Sequence, residues 1–174
     1  MKKFAALFLV LFLAVSLNAQ DEVKGRTLPR IDIKTLNGEV FNTSEITNEG
    51  KPMIVSFFAL WCKPCIKELT AISDVYEDWQ EETGVKLVAI SIDDARSMPN
   101  VAPFVNGNDW EFEFYCDPNG DMKRAMGVNM IPHVYLLNGK GEIVYQHTSY
   151  AEGSEEALYD LIVKIANGED ISEH

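Results

Sequence analysis

Apolar residues in the middle of the chain form two runs separated by a helical pattern. The runs predict strands at residues 53–58 and 85–92, each apolar enough to be buried on both faces. Between them, apolar residues recur at steps of four, three, four and three, the spacing of one helix face; they are Cys65, Leu69, Ile72, Tyr76 and Trp79. This pattern predicts a helix over residues 64–82 that stops near Gly84, within a βαβ unit that has parallel strands.

Shorter patterns on both sides of this unit predict the remaining elements. Residues 31–41 alternate around Asn37 and Gly38, which is a strong hairpin turn signal. Downstream we predict a helix at about 99–106, a partly exposed strand at 111–115, a turn at 117–120 followed by a short helix, and a hairpin whose turn is 138–141. Ser154 is predicted to cap a final helix, which ends at Asn167 and Gly168.

The first 19 residues have the pattern of a targeting signal. Lys2 and Lys3 precede an apolar stretch, and small residues before Gln20 form a cleavage site. We therefore expect a signal peptide at 1–19, a linker at 20–27 and one domain at 28–174, and an extracytoplasmic location, periplasmic or secreted. The apolar stretch is short for a transmembrane helix, which needs about 20 residues, and no stable anchor is expected after cleavage. An uncleaved anchor is the alternative.

Length and charge limit the classes of partner. A chain of 174 residues, 47% hydrophobic, is long enough for one domain with a core of its own. Its formal net charge is −12, and loss of the signal peptide removes two lysines and no acid. This acidic balance argues against nucleic acid and anionic membrane surfaces as partners.

Two cysteines mark the junction between the first buried strand and its helix. Cys62 and Cys65 are separated by two residues, where helix N–H groups and the helix dipole stabilise an anion. Cys62 is expected at the mouth of the turn, with a lowered pKa, and Cys65 is expected to be the more buried of the two. The pair is compatible with a structural disulfide or two ordinary buried thiols, with a zinc site, or with thiol–disulfide exchange. Exchange uses the helix terminus and the spacing together, and zinc needs four ligands that this chain does not supply in closely spaced pairs.

The same stretch resembles a known family. The motif Trp61-Cys62-Lys63-Pro64-Cys65 is similar to the active site of the thioredoxin superfamily, and Glu68 makes it most similar to the extracytoplasmic TlpA/ResA-like branch. The resemblance covers roughly residues 28–168. It implies an α/β thioredoxin-like fold, with a central mixed β-sheet flanked by helices, to which the pattern around Asn37 and Gly38 adds an N-terminal hairpin. It also implies an extracytoplasmic thiol–disulfide oxidoreductase, either a reductase or an oxidase of protein disulfides, and we expect a reductase.

This resemblance implies a role for each residue of the site. Cys62 is expected to attack a substrate disulfide, and Cys65 then attacks Cys62 to release the reduced substrate. Trp61, Lys63 and Pro64 support the pair, and Pro132 is expected to follow a cis bond and pack against it.

Many thioredoxins carry a buried acid six residues before the first cysteine, where this chain has Ser56. The resemblance instead assigns Glu68, one helical turn beyond Cys65, to accept the proton of Cys65. An exposed glutamate on the helix surface is the alternative.

Three other positions have open interpretations. His133 follows the proline and is expected either to contact a mixed-disulfide partner or to be a surface histidine. Cys116 is expected to be a buried free thiol near a strand end, with a third redox cysteine as the alternative. Asp93 and Asp94 are expected to cap a strand end rather than to bind a metal.

Alternatives to a reductase come from two other classes. One is a binding module of thioredoxin fold whose cysteine pair is a structural disulfide. The other is a peroxiredoxin-like antioxidant, which needs a Pro-x-x-x-Thr-x-x-Cys run; here Val55 and Ala59 occupy the Pro and Thr positions. We expect no cofactor and no metal. The expected partners are proteins with disulfides or thiols and a membrane-embedded thiol reductant.

Overall fold

The computed structural model describes residues 25–171. The predicted signal peptide at 1–19 and most of the predicted linker at 20–27 therefore lie outside the described residues. The strands are β1 Asp32–Thr35, β2 Val40–Asn42, β3 Met53–Phe58, β4 Lys86–Ser91, β5 Glu113–Cys116, β6 His133–Leu137 and β7 Ile143–Thr148. The α-helices are α1 Lys63–Ser73, α2 Tyr76–Thr83, α3 Val101–Gly107, α4 Asp121–Met126 and α5 Ser154–Ala166.

These strands form one mixed sheet with β3 near its centre. The strand order is β2-β1-β5-β4-β3-β6-β7. Strands β3, β4 and β5 are parallel, whereas β6 runs antiparallel to β3 and β7 runs antiparallel to β6. All six residues of β3 are buried, as its apolar run predicts. The mixed sheet flanked by helices and the parallel βαβ unit are thus confirmed.

Alternate residues of β3 supply two separate apolar cores, one on each face of the sheet. Ile54 and Phe58 pack in the larger cluster, with buried residues of α1, α2, α3 and α5. Val55 and Phe57 point to the opposite face and join a smaller cluster with Met122 of α4. This is the period of two that a strand imposes on its side chains. The cysteine pair belongs to the larger cluster.

The predicted N-terminal hairpin is confirmed as an extension of the sheet. Strands β1 and β2 pair antiparallel across the turn that contains Asn37 and Gly38, and Gly38 has a φ of 83°, which glycine adopts without a steric penalty. The outer edge of β5 is covered by β1, which pairs antiparallel with it. The strand predicted at 111–115 is β5, which begins two residues later and ends one residue later than predicted.

Two helix predictions are wrong in detail. The predicted continuous helix over 64–82 is broken into α1 and α2 at Asp74 and Val75, where with Ser73 three residues of low helix propensity follow one another. The predicted stop at Gly84 is confirmed, since Gly84 is left-handed with a φ of 67°. The predicted cap of α5 is also displaced by one residue. Gly153 is the N-cap, with no side-chain cap bond, and Ser154 is the first residue of the helix.

Candidate active site

The two cysteines lie where β3 ends and α1 begins. Their sulfurs are joined in a disulfide with an S–S distance of 2.10 Å. Cys62 is the N-cap of α1, and its Sγ accepts a hydrogen bond from the backbone N–H of Cys65 at 3.3 Å. A sulfur in this position receives an otherwise unpaired helix N–H and sits at the positive end of the helix dipole. The geometry therefore favours negative charge on Cys62.

Access to the pair is from the side of Cys62. The side chain of Cys65 is fully buried, whereas Cys62 keeps 5% of its surface exposed. Trp61 is 68% exposed, and Lys63 and Pro64 are exposed as well. The prediction that Cys65 is the more buried cysteine is confirmed. A bulky reactant that approaches through Trp61, Lys63 and Pro64 meets Cys62 first.

A buried aspartate fixes the loop that leads into the cysteine pair. Oδ2 of Asp93 accepts a hydrogen bond from the backbone N–H of Leu60 at 2.9 Å and another from Oγ of Ser91 at 2.9 Å. Asp93 is only 1% exposed and follows the end of β4. The prediction that Asp93 caps a strand end is confirmed, and its second contact ties β4 to the loop before Cys62.

Pro132 lies at the same end of the sheet. The Ile131–Pro132 peptide bond is cis, as predicted, and Pro132 is buried. The next residue, His133, pairs with Phe57 near the end of β3, so the start of β6 adjoins the loop that carries Cys62. Contact between Pro132 and the sulfurs remains a prediction.

Ser56 and Glu68, the two positions where the family places a proton acceptor for the second cysteine, have different surroundings. Ser56 is buried in β3, and its Oγ has no hydrogen-bond partner within residues 25–171. Glu68 is 2% exposed and shares the buried face of α1 with Cys65. The alternative of an exposed glutamate is wrong. The buried face of α1 thus presents a carboxyl group one turn beyond Cys65.

Glu68 contacts a residue that the sequence interpretation missed as a partner. Nε2 of His147, on β7, lies 2.8 Å from Oε1 of Glu68. The other carboxylate oxygen, Oε2, is buried and has no partner among the residues described. In the sequence, the available signal was the alternation of Tyr145 and His147, which places both on one face of their strand. That alternation does not show whether the shared face is the one that packs against α1.

His133 is not a surface histidine. It is 7% exposed, its ring stacks on Tyr135 with a centroid distance of 4.4 Å, and its Nε2 lies 3.1 Å from Oε1 of Gln146. Burial lowers the pKa of His133, the hydrogen bond to Gln146 opposes this shift, and the nearby His147 adds to it. His133 is therefore predominantly neutral at neutral pH.

Cys116 is a buried free thiol at the end of β5, as predicted. Burial raises the pKa of Cys116 to about 11, and the charge of Asp93 adds to the shift. The thiolate is the nucleophilic form of cysteine. Cys116 is therefore protonated at neutral pH and is not a ready nucleophile in the folded protein.

Neither a metal-binding group of side chains nor a membrane-spanning helix is found in the described part of the chain. Within residues 25–171, no three His, Cys, Asp or Glu side chains are grouped so that they could hold a metal ion. No helix in that part is long and apolar enough to cross a membrane. The positions that a peroxiredoxin fills with Pro and Thr carry Val55 and Ala59, both buried.

Comparison with known proteins identifies a family and a fold. A family model described as AhpC/TSA matches residues 24–146. The chain is 32% identical to thiol-disulfide oxidoreductase ResA of Oceanobacillus iheyensis over 140 residues, 77% of this chain and 71% of the relative. It is 33% identical to sporulation thiol-disulfide oxidoreductase A of Bacillus subtilis over 127 residues, 72% of this chain and 74% of the relative.

A solution structure of a thioredoxin-like protein from Porphyromonas gingivalis is 48% identical to this chain and has a TM-score of 0.72. The alignment covers 80% of this chain and 92% of that protein. The fold is thioredoxin-like.

Proposed function

Because this chain belongs to the AhpC/TSA family and is a thiol–disulfide oxidoreductase, we propose that it reduces protein disulfides outside the cytoplasm, with Cys62 as the nucleophile and Cys65 as the resolving thiol. One observation carries this assignment. Sγ of Cys62 occupies the N-cap of α1 and receives the N–H of Cys65, while Cys65 is fully buried. The N-cap position stabilises a thiolate on Cys62, whereas burial shields Cys65 from a bulky substrate.

The reaction is two successive thiol–disulfide exchanges. In the first, the Cys62 thiolate attacks one sulfur of the substrate disulfide, and the other substrate sulfur leaves as a thiolate. In the second, Cys65 gives up its proton and attacks Sγ of Cys62, which releases the remaining substrate sulfur. The substrate disulfide gains two electrons and two protons, and Cys62 and Cys65 lose them as they close their disulfide.

The second exchange needs a proton acceptor inside the apolar cluster. A buried thiol resists ionisation because burial disfavours charge. Ser56 cannot accept the proton, and Glu68 lies one turn from Cys65 on the same buried face. We assign Glu68 as the group that takes the proton of Cys65.

The surrounding residues have supporting roles in this proposal. Trp61 and Pro64 present an apolar surface at the mouth of the site, and Lys63 adds a positive charge beside the Cys62 thiolate. Pro132 bounds the site from the start of β6. The substrates are proteins with accessible disulfides, which can pack on this surface while Cys62 reacts.

The location is proposed from the first 19 residues, whose pattern is that of a secretory signal. Outside the cytosol no glutathione pool keeps the pair reduced, so a reductase needs a dedicated donor. We assign that role to a membrane-embedded thiol reductant.

The mature form is expected to begin at Gln20. Mass spectrometry of the protein recovered from the extracytoplasmic fraction measures its N-terminus directly. Recovery from the membrane of a chain that still carries residues 1–19 would favour the uncleaved anchor instead.

The function is tested by insulin reduction and by the reduction potential of the cysteine pair. We expect the protein to accelerate insulin precipitation in dithiothreitol. We also expect its potential to lie nearer the thioredoxin value of about −270 mV than the oxidant value of about −120 mV. Acceleration with a potential near the oxidant value would make the protein an oxidase. No acceleration at all would favour the binding module with a structural disulfide.

A further inference from the structure

The carboxyl group of Glu68 is buried with a single described contact. Its side chain is 3% exposed, and Oε1 lies 2.8 Å from Nε2 of His147. Oε2 is buried and has no partner among residues 25–171. Removing a carboxylate from water is costly unless the charge is paired or hydrogen-bonded, and an unpaired carboxyl in such a place takes up a proton instead. His147 therefore supplies the one described hydrogen bond to this buried carboxyl group.

His147 is well placed to hold that group. It pairs in register with Val134 of β6, which belongs to the same apolar cluster as Cys62 and Cys65. Its side chain is 19% exposed, so it connects the buried carboxylate with solvent.

Among the described residues, two titratable groups lie beside His147 on its face of the sheet: Glu68 on α1, and Tyr145 on β7 at a ring-centroid distance of 5.9 Å. His133 on β6 acts on His147 only through its electrostatic interaction, because its neighbour Val134 is the residue that pairs with His147. Burial raises the pKa of Tyr145 and lowers that of His133, so both are uncharged at neutral pH.

We propose that His147 is a positioning residue for the exchange reaction, because it holds Oε1 of Glu68 by a hydrogen bond and so leaves Oε2 free to take the proton of Cys65. The inference rests on the proposed role of Glu68. A carboxylate accepts hydrogen bonds and does not donate them, so the shared proton is on Nε2. A charge-assisted bond of this kind is stronger than a neutral one. Without it, the carboxyl group of Glu68 is no longer held in place when Cys65 has to lose its proton, and the second exchange slows.

Three variants of the full mature chain separate this role from a structural one. His147→Phe removes the hydrogen bond, and His147→Gln keeps a hydrogen-bond donor at this position. Tyr145→Phe is the matched control on the same face of β7. The rate of mixed-disulfide resolution is measured by quenched flow with a model peptide disulfide from pH 5 to pH 9. The rate of the first attack is measured separately in a Cys65→Ser background.

The expected result is a slower resolution step with an unchanged first attack. Loss of a hydrogen bond to a charged group should slow resolution about tenfold in His147→Phe. His147→Gln keeps a donor and should recover most of the rate, and Tyr145→Phe should match the wild type.

Several outcomes would overturn the proposal. One is a resolution rate that matches the wild type in His147→Phe, or in His147→Leu where His147→Phe fails to fold. Another is that His147→Phe slows resolution by the same factor in the Glu68→Gln background as in the wild type. Two residues that act through each other do not have additive effects. Failure of the proposed function is distinguishable, since the wild type would then reduce no insulin.

Discussion

Replacing Cys62 by serine is expected to lower insulin reduction to the rate of dithiothreitol alone. The serine hydroxyl can still accept the N–H of Cys65 at the N-cap, so helix α1 should form and the fold should persist. What is lost is the thiolate, and Cys65 cannot replace it because its side chain is fully buried. Thermal unfolding monitored by circular dichroism checks that the variant is folded.

Cys116→Ala is the matched control for this variant. Cys116 is also buried, but it is a free thiol at the end of β5 and is protonated at neutral pH. Its removal should leave insulin reduction near the wild-type rate. Residual activity in Cys62→Ser, or its loss in Cys116→Ala with the fold intact, would contradict the assignment of the nucleophile.

Replacing Glu68 by glutamine is expected to slow the release of reduced substrate about 10²-fold, the lower end of what a positioned proton-transfer group contributes. Glutamine has nearly the same shape and can still contact Nε2 of His147, but it cannot take up the proton of Cys65. The first attack, by Cys62, should be nearly unaffected because it does not require Cys65 to ionise. Stopped-flow exchange with a model disulfide resolves the two steps across pH.

Glu77→Gln is the control for the loss of one negative charge, since Glu77 is exposed on α2. It should leave both rates unchanged. If Glu68→Gln also leaves the rate and the pH dependence of resolution unchanged, then Glu68 is a structural residue and the proton of Cys65 goes elsewhere.

The elements that were predicted correctly depend on local patterns. The apolar run of β3 indicates a strand buried on both faces, Asn37 and Gly38 indicate a hairpin, and the helical spacing after Cys65 indicates the first crossover. Each of these signals lies within about 20 residues, so no knowledge of long-range contacts is needed. The break at Asp74 and Val75 was missed because apolar spacing continues across it.

The contact between Glu68 and His147 could not be predicted in the same way. The two residues are 79 positions apart, and the face that His147 occupies depends on strand register. A register shift in the β6–β7 pairing occurs between Leu136 and Leu137. Because side chains alternate, the same pairing without that shift would turn His147 away from α1. A one-residue irregularity in the hairpin therefore decides whether Glu68 has a partner.

Most elements of the fold could be predicted from local sequence patterns, whereas the roles of most site residues were inferred from the family resemblance. Position at a helix N-terminus follows from the sequence pattern and is seen for Cys62. The importance of Pro132 and Glu68 came from a family resemblance, which identifies positions but not their surroundings. The structure adds the surroundings: Asp93 holds the loop through Leu60, and His147 holds Glu68.

The most direct test of the account is to trap the first intermediate. Reduced Cys65→Ser and reduced Cys62→Ser are each mixed with native, disulfide-bonded insulin, quenched with acid and digested. The disulfide-linked peptides are then identified by mass spectrometry. Cys65→Ser is expected to accumulate a mixed disulfide joined through Cys62, and Cys62→Ser is expected to accumulate none. A mixed disulfide joined through Cys65 in the Cys62→Ser protein, with none in Cys65→Ser, would contradict the account.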